Sequence, residues 1–163
     1  MKTGNTSTVC LMPGELFVAR EPTIITTILG SCVSVAMFSP RFKTGAMCHA
    51  LLPENGSTPG SDPLRFVDHA ILHMIGEFSK LGIQRKDIQV KLFGGSDVLA
   101  TVNDAVTVGT QNVIKAFEII EREKLRLVAQ DVRGEQGRKI FFNTCTGEIL
   151  LKRVGKQDIR SVR

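Results

Sequence analysis

The sequence predicts an α+β domain, with mixed and antiparallel β-sheets forming a sandwich-like core and two main helices packed on its outside. Three observations carry that prediction. Short β-branched or aromatic segments broken by turn residues fill the first fifty positions, two stretches with apolar residues at helical spacing occupy the middle, and three alternating segments close the chain. At 163 residues the chain suits a single domain, and a body of that size hides roughly 70% of the surface of its unfolded chain. Hydrophobic residues make up 42% and charged residues 23%, which excludes a disordered or fibrous protein. No apolar run reaches the ~18 to 20 residues of a membrane helix, and Met1–Pro13 has no greasy stretch that could act as a signal peptide. A cytoplasmic location is expected.

Glu15–Arg20 and Thr23–Leu29, separated by Pro22, suit two early strands. After Gly30-Ser31-Cys32, the run Val33–Met37 heads for a turn at Ser39-Pro40, so Cys32 stands at the mouth of a strand. Thr44–Leu52 is a further strand, stopped by Pro53-Glu54-Asn55-Gly56, and residues 53–63 form a surface loop. With Val67, Ala70, Ile71, Met74, Phe78 and Leu81 on one side and Gly82 as a stop, residues 65–81 form an amphipathic helix. Ile88–Phe93 alternates as a strand into Gly94-Gly95, and a second helix follows over about 106–124 with Val113, Ala116, Phe117 and Ile120 as its buried stripe. Leu125–Val132, Arg138–Asn143 and Glu148–Val154 then read as a meander of antiparallel strands. Residues 1–14 are expected to form a flexible N-terminal arm, 15–154 the folded domain, and 155–163 a basic C-terminal tail.

The net charge of +5 is concentrated at the end: residues 1–114 carry nine charges of each sign, and residues 115–163 carry twelve basic and seven acidic. Acids interleave the bases over Glu118–Arg126, and Trp and Tyr are absent, so a solvated surface fits better than a nucleic-acid interface. The four cysteines have none of the close spacings of a zinc or dithiol site, and reduced thiols are expected. His69 and His73 stand four apart on the first helix, but nothing nearby in sequence completes a ligand set, so no metal is assigned.

Cys32 and His49 are the candidates for chemistry. Cys32 leaves a strand through a glycine, a turn that exposes a thiol and can aim backbone N–H groups of Gly30 and Ser31 at a developing oxyanion. His49 follows seventeen residues later on the next expected strand, so neighbouring strands can bring imidazole to thiol and hold it as thiolate. Taken alone, the pair also fits two ordinary core residues. Cys10 in the arm, Cys48 on the face opposite His49 and Cys145 in a turn are most simply structural.

The chain resembles the CheD family of chemoreceptor glutamine deamidases. The resemblance rests on Thr26-Thr27-Ile28-Leu29-Gly30-Ser31-Cys32-Val33, His49-Ala50-Leu51-Leu52-Pro53 and Arg65-Phe66-Val67-Asp68-His69-Ala70. It continues through Lys91-Leu92-Phe93-Gly94-Gly95, Val108-Gly109-Thr110-Gln111-Asn112-Val113, Gly137-Arg138-Lys139-Ile140, Thr146-Gly147 and Lys152, spanning roughly residues 15–154. Cys48, where the family often has a polar residue, and Phe66, where Tyr is common, are the departures.

What the resemblance implies is a cysteine hydrolase, a protein-glutamine glutaminase without cofactor. Cys32 is its nucleophile, His49 its general base and acid, and Thr26, six residues before the cysteine, the orienter of the imidazole. The implied substrate is a glutamine side chain on the cytoplasmic helices of a chemotaxis receptor, converted to glutamate through a thioester. A CheC-type response-regulator phosphatase is implied as a second partner, and the alternative to catalysis is a non-catalytic regulator of that phosphatase. Gln111 and Asn112 suit either a helix cap or the substrate face.

Overall fold

The computed structural model describes residues 4–54, 59–98 and 106–160. Its strands are β1 (Ser7–Cys10), β2 (Leu16–Val18), β3 (Thr23–Leu29), β4 (Val33–Ser39), β5 (Thr44–Cys48), β6 (Gln89–Gly94), β7 (Arg126–Val132), β8 (Gly137–Asn143) and β9 (Ile149–Val154). Its α-helices are α1 (Val67–Lys80), α2 (Val108–Arg122) and the short α3 (Lys156–Arg160). The expected α+β sandwich forms: a four-stranded sheet in the order β1-β3-β8-β9 faces a five-stranded sheet in the order β2-β5-β4-β6-β7. Helices α1 and α2 cover the outer side of the five-stranded sheet.

Alternation along the strands builds two apolar layers. Val33, Val35 and Met37 of β4 and Ala46 and Cys48 of β5 point toward the helices, where Ala70, Ile71, Met74 and Phe78 of α1 and Val113, Ala116 and Ile120 of α2 meet them. Ala36, Phe38 and Met47 point the other way, into the space between the sheets, with Ile25 and Leu29 of β3 and Ile140 and Phe142 of β8. Strand β4 is therefore buried at all seven positions, which is why it reads as a nearly continuous apolar run. Helix α2 starts where Thr107 Oγ1 accepts the Thr110 N–H at 3.1 Å.

The expected closing meander is corrected. β7 pairs in parallel with β6, while β8 pairs with β3 and β9 in the opposite sheet. With α2 between them, β6 and β7 form a right-sized crossover unit, and parallel neighbours require such a connection. Arg133 and Gly134, both at positive φ, then carry the chain across to the other sheet.

The flexible arm is also corrected. Ser7–Cys10 pairs in parallel with β3, and Leu11, only 2% exposed, enters the layer between the sheets. Its mostly exposed residues hid this edge strand from an apolar pattern. Within the expected tail, Ile159 is buried against Gly30 and Gly137. The expected loop over 53–63 lies partly outside the described residues. Among the described residues, no helix is long and apolar enough to cross a membrane.

Candidate active site

Register brings Cys32 and His49 together. Val33 and Ala50 exchange both backbone bonds, at 3.0 and 2.9 Å, and this keeps the register in which Ala36 faces Met47. Ser34 is thereby set opposite His49, and Cys32 stands diagonally across on the same face, within reach of a long side chain. That face looks toward the four-stranded sheet: Cys32 packs against the layer containing Leu29 and Phe93. Cys32 is half-buried and His49 is buried.

Cys48 lies on the other face, among the helix-side apolar residues, as alternation from His49 requires. Burial pushes its thiol up to about 12, so it is inert at neutral pH. Cys10 is exposed and Cys145 half-buried, in a turn beside β8.

The turn before Cys32 is anchored through its carbonyls. Gly30 O accepts from Ser96 N at 2.9 Å and from Ser96 Oγ at 2.8 Å. Ser31 O accepts from Asn112 Nδ2 at 3.0 Å, and Cys32 O accepts from Gly95 N at 2.8 Å. Gly94 passes beneath at φ 102°, so close that a Cβ there would run into Cys32 O. The Phe93-Gly94-Gly95 segment thus serves two contacts, since a Cβ on Gly95 would strike Val113 of α2.

The expected bond from Thr26 to His49 is corrected: Thr27 Oγ1 lies 2.7 Å from His49 Nδ1. The pleat decides this. Thr27 shares its face with Ile25 and Leu29, which look into the layer between the sheets, whereas Thr26 points to the other face, where its buried Oγ1 has no hydrogen-bond partner. The resemblance assigns the role to Thr26 by its place six residues before Cys32, a place that carries no information about the pleat of β3. The apolar parity of Ile25 and Leu29 was the available signal.

Thr27 also settles the tautomer. Its hydroxyl donates to Leu11 O at 2.8 Å, and a hydroxyl has one proton. Assigned from this network, Nδ1–H donates to Thr27 Oγ1, leaving the Nε2 lone pair as the free base. Leu11, from the segment expected to be flexible, therefore closes a chain of hydrogen bonds behind the imidazole.

Burial lowers the His49 pKa to about 4, against the smaller opposing effects of the Leu11 carbonyl and the Glu15 carboxylate. The resting imidazole is uncharged at neutral pH and can accept a proton. The same shift sets a stability window. The unfolded chain takes up a proton near pH 6.5 that the folded chain refuses until about pH 4, so stability should be full above 6.5 and fall as pH drops through this range, by about 3 kcal/mol. Urea midpoints at pH 7 and pH 4 measure it, and His49→Leu should remove most of the difference.

His69 and His73 lie on the exposed side of α1, with His73 Nε2 4.0 Å from Glu77. Among the described residues, no group of three or more His, Cys, Asp or Glu could hold a metal ion. Gln111 is exposed, while Asn112 is fully buried.

Comparison with known proteins places the chain. A family model described as CheD chemotactic sensory transduction matches residues 51–153, a span that begins just after His49. A Geobacter sulfurreducens protein named probable chemoreceptor glutamine deamidase CheD 2 is 47% identical over 153 residues, covering 94% of each chain. A Maridesulfovibrio salexigens protein named probable chemoreceptor glutamine deamidase CheD is 38% identical, over 91% of this chain and 92% of that one. A protein of the same name from Oleidesulfovibrio alaskensis is 39% identical, over 88% of this chain and 71% of that one. A family-model match over more than half its length, together with relatives aligned along about nine-tenths of it, means that the chain belongs to the CheD family.

Proposed function

We propose that this protein hydrolyses glutamine side chains of chemoreceptors to glutamate, with Cys32 as nucleophile and His49 as the proton carrier. The observation that carries the reading is the buried, neutral imidazole held through Nδ1 by Thr27, with Nε2 left on the face it shares with Cys32. Relatives at 47% and 38% identity, named as probable chemoreceptor glutamine deamidases, support the substrate. The cytoplasmic location expected from the sequence goes with it.

The Cys32 thiol gives its proton to His49 Nε2 as sulfur attacks the carboxamide carbon. The carbonyl oxygen becomes an oxyanion. Because Gly30 C=O is anchored to Ser96, the Ser31 N–H of the same planar peptide points the opposite way, and we assign it as an oxyanion donor. The imidazolium then protonates the nitrogen, ammonia leaves, and a thioester remains. Nε2 next takes a proton from water, the hydroxide adds to the thioester, and collapse releases glutamate and returns the proton to sulfur. The net change is one water consumed and one ammonia released per glutamine.

Thr27 takes the orienting role that the resemblance gave to Thr26. Thr27→Val keeps the side-chain shape but removes the acceptor for Nδ1–H, so turnover should fall about tenfold to a hundredfold. Thr26→Val should leave turnover unchanged and stability equal or higher, because it removes a buried hydroxyl without a partner. Equal losses at both positions would sink the assignment.

The reading is tested by following ammonia release from a chemoreceptor cytoplasmic fragment. Ammonia should appear in step with an intact-mass gain of about 1 Da per site and no new peptide fragments. Fragments without ammonia would instead indicate a peptidase. A CheC-type phosphatase is carried as a proposed second partner on the family resemblance alone.

A further inference from the structure

We propose that Asn112 is a positioning residue that holds the nucleophile strand and the histidine strand in register at the reacting pair. This deepens the proposed function and rests on the roles given to Cys32 and His49. Asn112 Nδ2 donates to Ser31 O at 3.0 Å and to Leu51 O at 2.9 Å. The first carbonyl belongs to the residue before Cys32, and the second lies two residues after His49. One nitrogen thus ties together both backbones that carry the chemistry, at the end of the sheet where β4 and the extension of β5 stop exchanging bonds after Val33 and Ala50.

The residue type fits the task. A primary carboxamide offers two N–H donors from one atom, which neither serine nor aspartate can do. Its Oδ1 is buried with no hydrogen-bond partner, an unfavourable state that a packing role alone does not require. The helix that delivers it is fixed against the same turn. A Cβ on Gly109, three residues earlier, would meet Ser96 O at 2.6 Å and Gly95 O at 2.7 Å, and those two residues supply the donors to Gly30 O and Cys32 O. The first turns of α2 therefore sit directly on the loop beneath the nucleophile, and Asn112 extends that hold to the histidine strand.

Small errors in the separation of nucleophile and base are costly, with about a hundredfold loss for a displacement near 1 Å. Asn112→Ala should accordingly lower kcat on a receptor fragment by tenfold to a hundredfold, on the order of the loss expected from such displacements, with KM within about twofold because the residue is buried beneath the site. Asn112→Ser keeps one donor and should fall between wild type and alanine. The readout that separates positioning from mere support is the pH dependence of Cys32 carboxamidomethylation, followed on the Cys32 peptide by mass spectrometry. In Asn112→Ala it should move toward that of His49→Ala, because thiol and imidazole no longer exchange a proton efficiently. If Asn112→Ala does not fold, the same shift, smaller, is read in Asn112→Ser. A wild-type alkylation profile and kcat in folded variants would overturn the proposal, as would a rise in KM with kcat unchanged. Activity surviving Cys32→Ala would instead overturn the underlying reading, so the two failures are told apart.

Discussion

Cys32→Ala is expected to reduce ammonia release from a receptor fragment by at least about a thousandfold, and Cys32→Ser nearly as much, since a hydroxyl at this site is a far poorer nucleophile than a thiol. The fold should survive both changes. Cys32 is half-buried at the end of β4, its turn is held by the Gly30, Ser31 and Cys32 carbonyls, and none of those bonds uses the thiol. Thermal melting within a few degrees of wild type would document that the loss is chemical. Cys10→Ala and Cys145→Ala should retain turnover. Cys48→Ala creates a small cavity on the helix side of the sheet and should cost stability without abolishing activity. Substantial activity in Cys32→Ala would mean that Cys32 is not the nucleophile.

Gly94→Ala is expected to have the largest effect among residues that take no part in the reaction. At φ 102° a side chain is strained whatever the space, and here the new Cβ would overlap Cys32 O and stand 3.2 Å from both Val33 Cα and Leu29 Cδ1. The neighbouring atoms are mostly backbone, so the turn that carries Cys32 must itself move. A loss of about 3 kcal/mol in stability is expected, together with at least a tenfold to hundredfold drop in kcat. Gly76→Ala is the matched control. It lies in α1 with nothing within 4 Å of the added Cβ, and alanine there should stabilise by about 0.5 to 1 kcal/mol. Denaturant midpoints and turnover on the same preparations separate the two cases. Gly94→Ala with wild-type turnover would mean that the turn tolerates displacement.

What the sequence made legible follows periodicity. The stripe Val67, Ala70, Ile71, Met74 and Phe78 is the buried face of α1, and strict alternation was enough to send Cys48 and His49 to opposite faces. The Gly30-Ser31-Cys32 exit from a strand was likewise visible as a turn that presents a thiol. The orienting role falls on Thr26 by the resemblance, whereas parity within β3, counted from Ile25 and Leu29, puts Thr27 on the face of His49. β1 is hidden in the sequence, because an edge strand with mostly exposed residues has no apolar pattern. Alternation marks β7 as a strand without naming its partner, and the helix before it draws it into the other sheet. Asn112 reaches carbonyls 81 and 61 residues away in sequence. No local pattern encodes such contacts, so its role became readable only once the strands and α2 were assembled.

The proposed hydrolysis passes through sulfur and ends with an oxygen of water on the former glutamine. A chemoreceptor cytoplasmic fragment incubated with the enzyme in water enriched in oxygen-18, then digested and sequenced by mass spectrometry, tests this most directly. Glutamate is expected at particular glutamine positions, each carrying one heavy oxygen and therefore about 3 Da heavier than the original residue, with Cys32→Ala giving unshifted peptides. Unlabelled receptor glutamines after exhaustive incubation with folded wild-type protein, or heavy oxygen found only at new peptide termini, would contradict it.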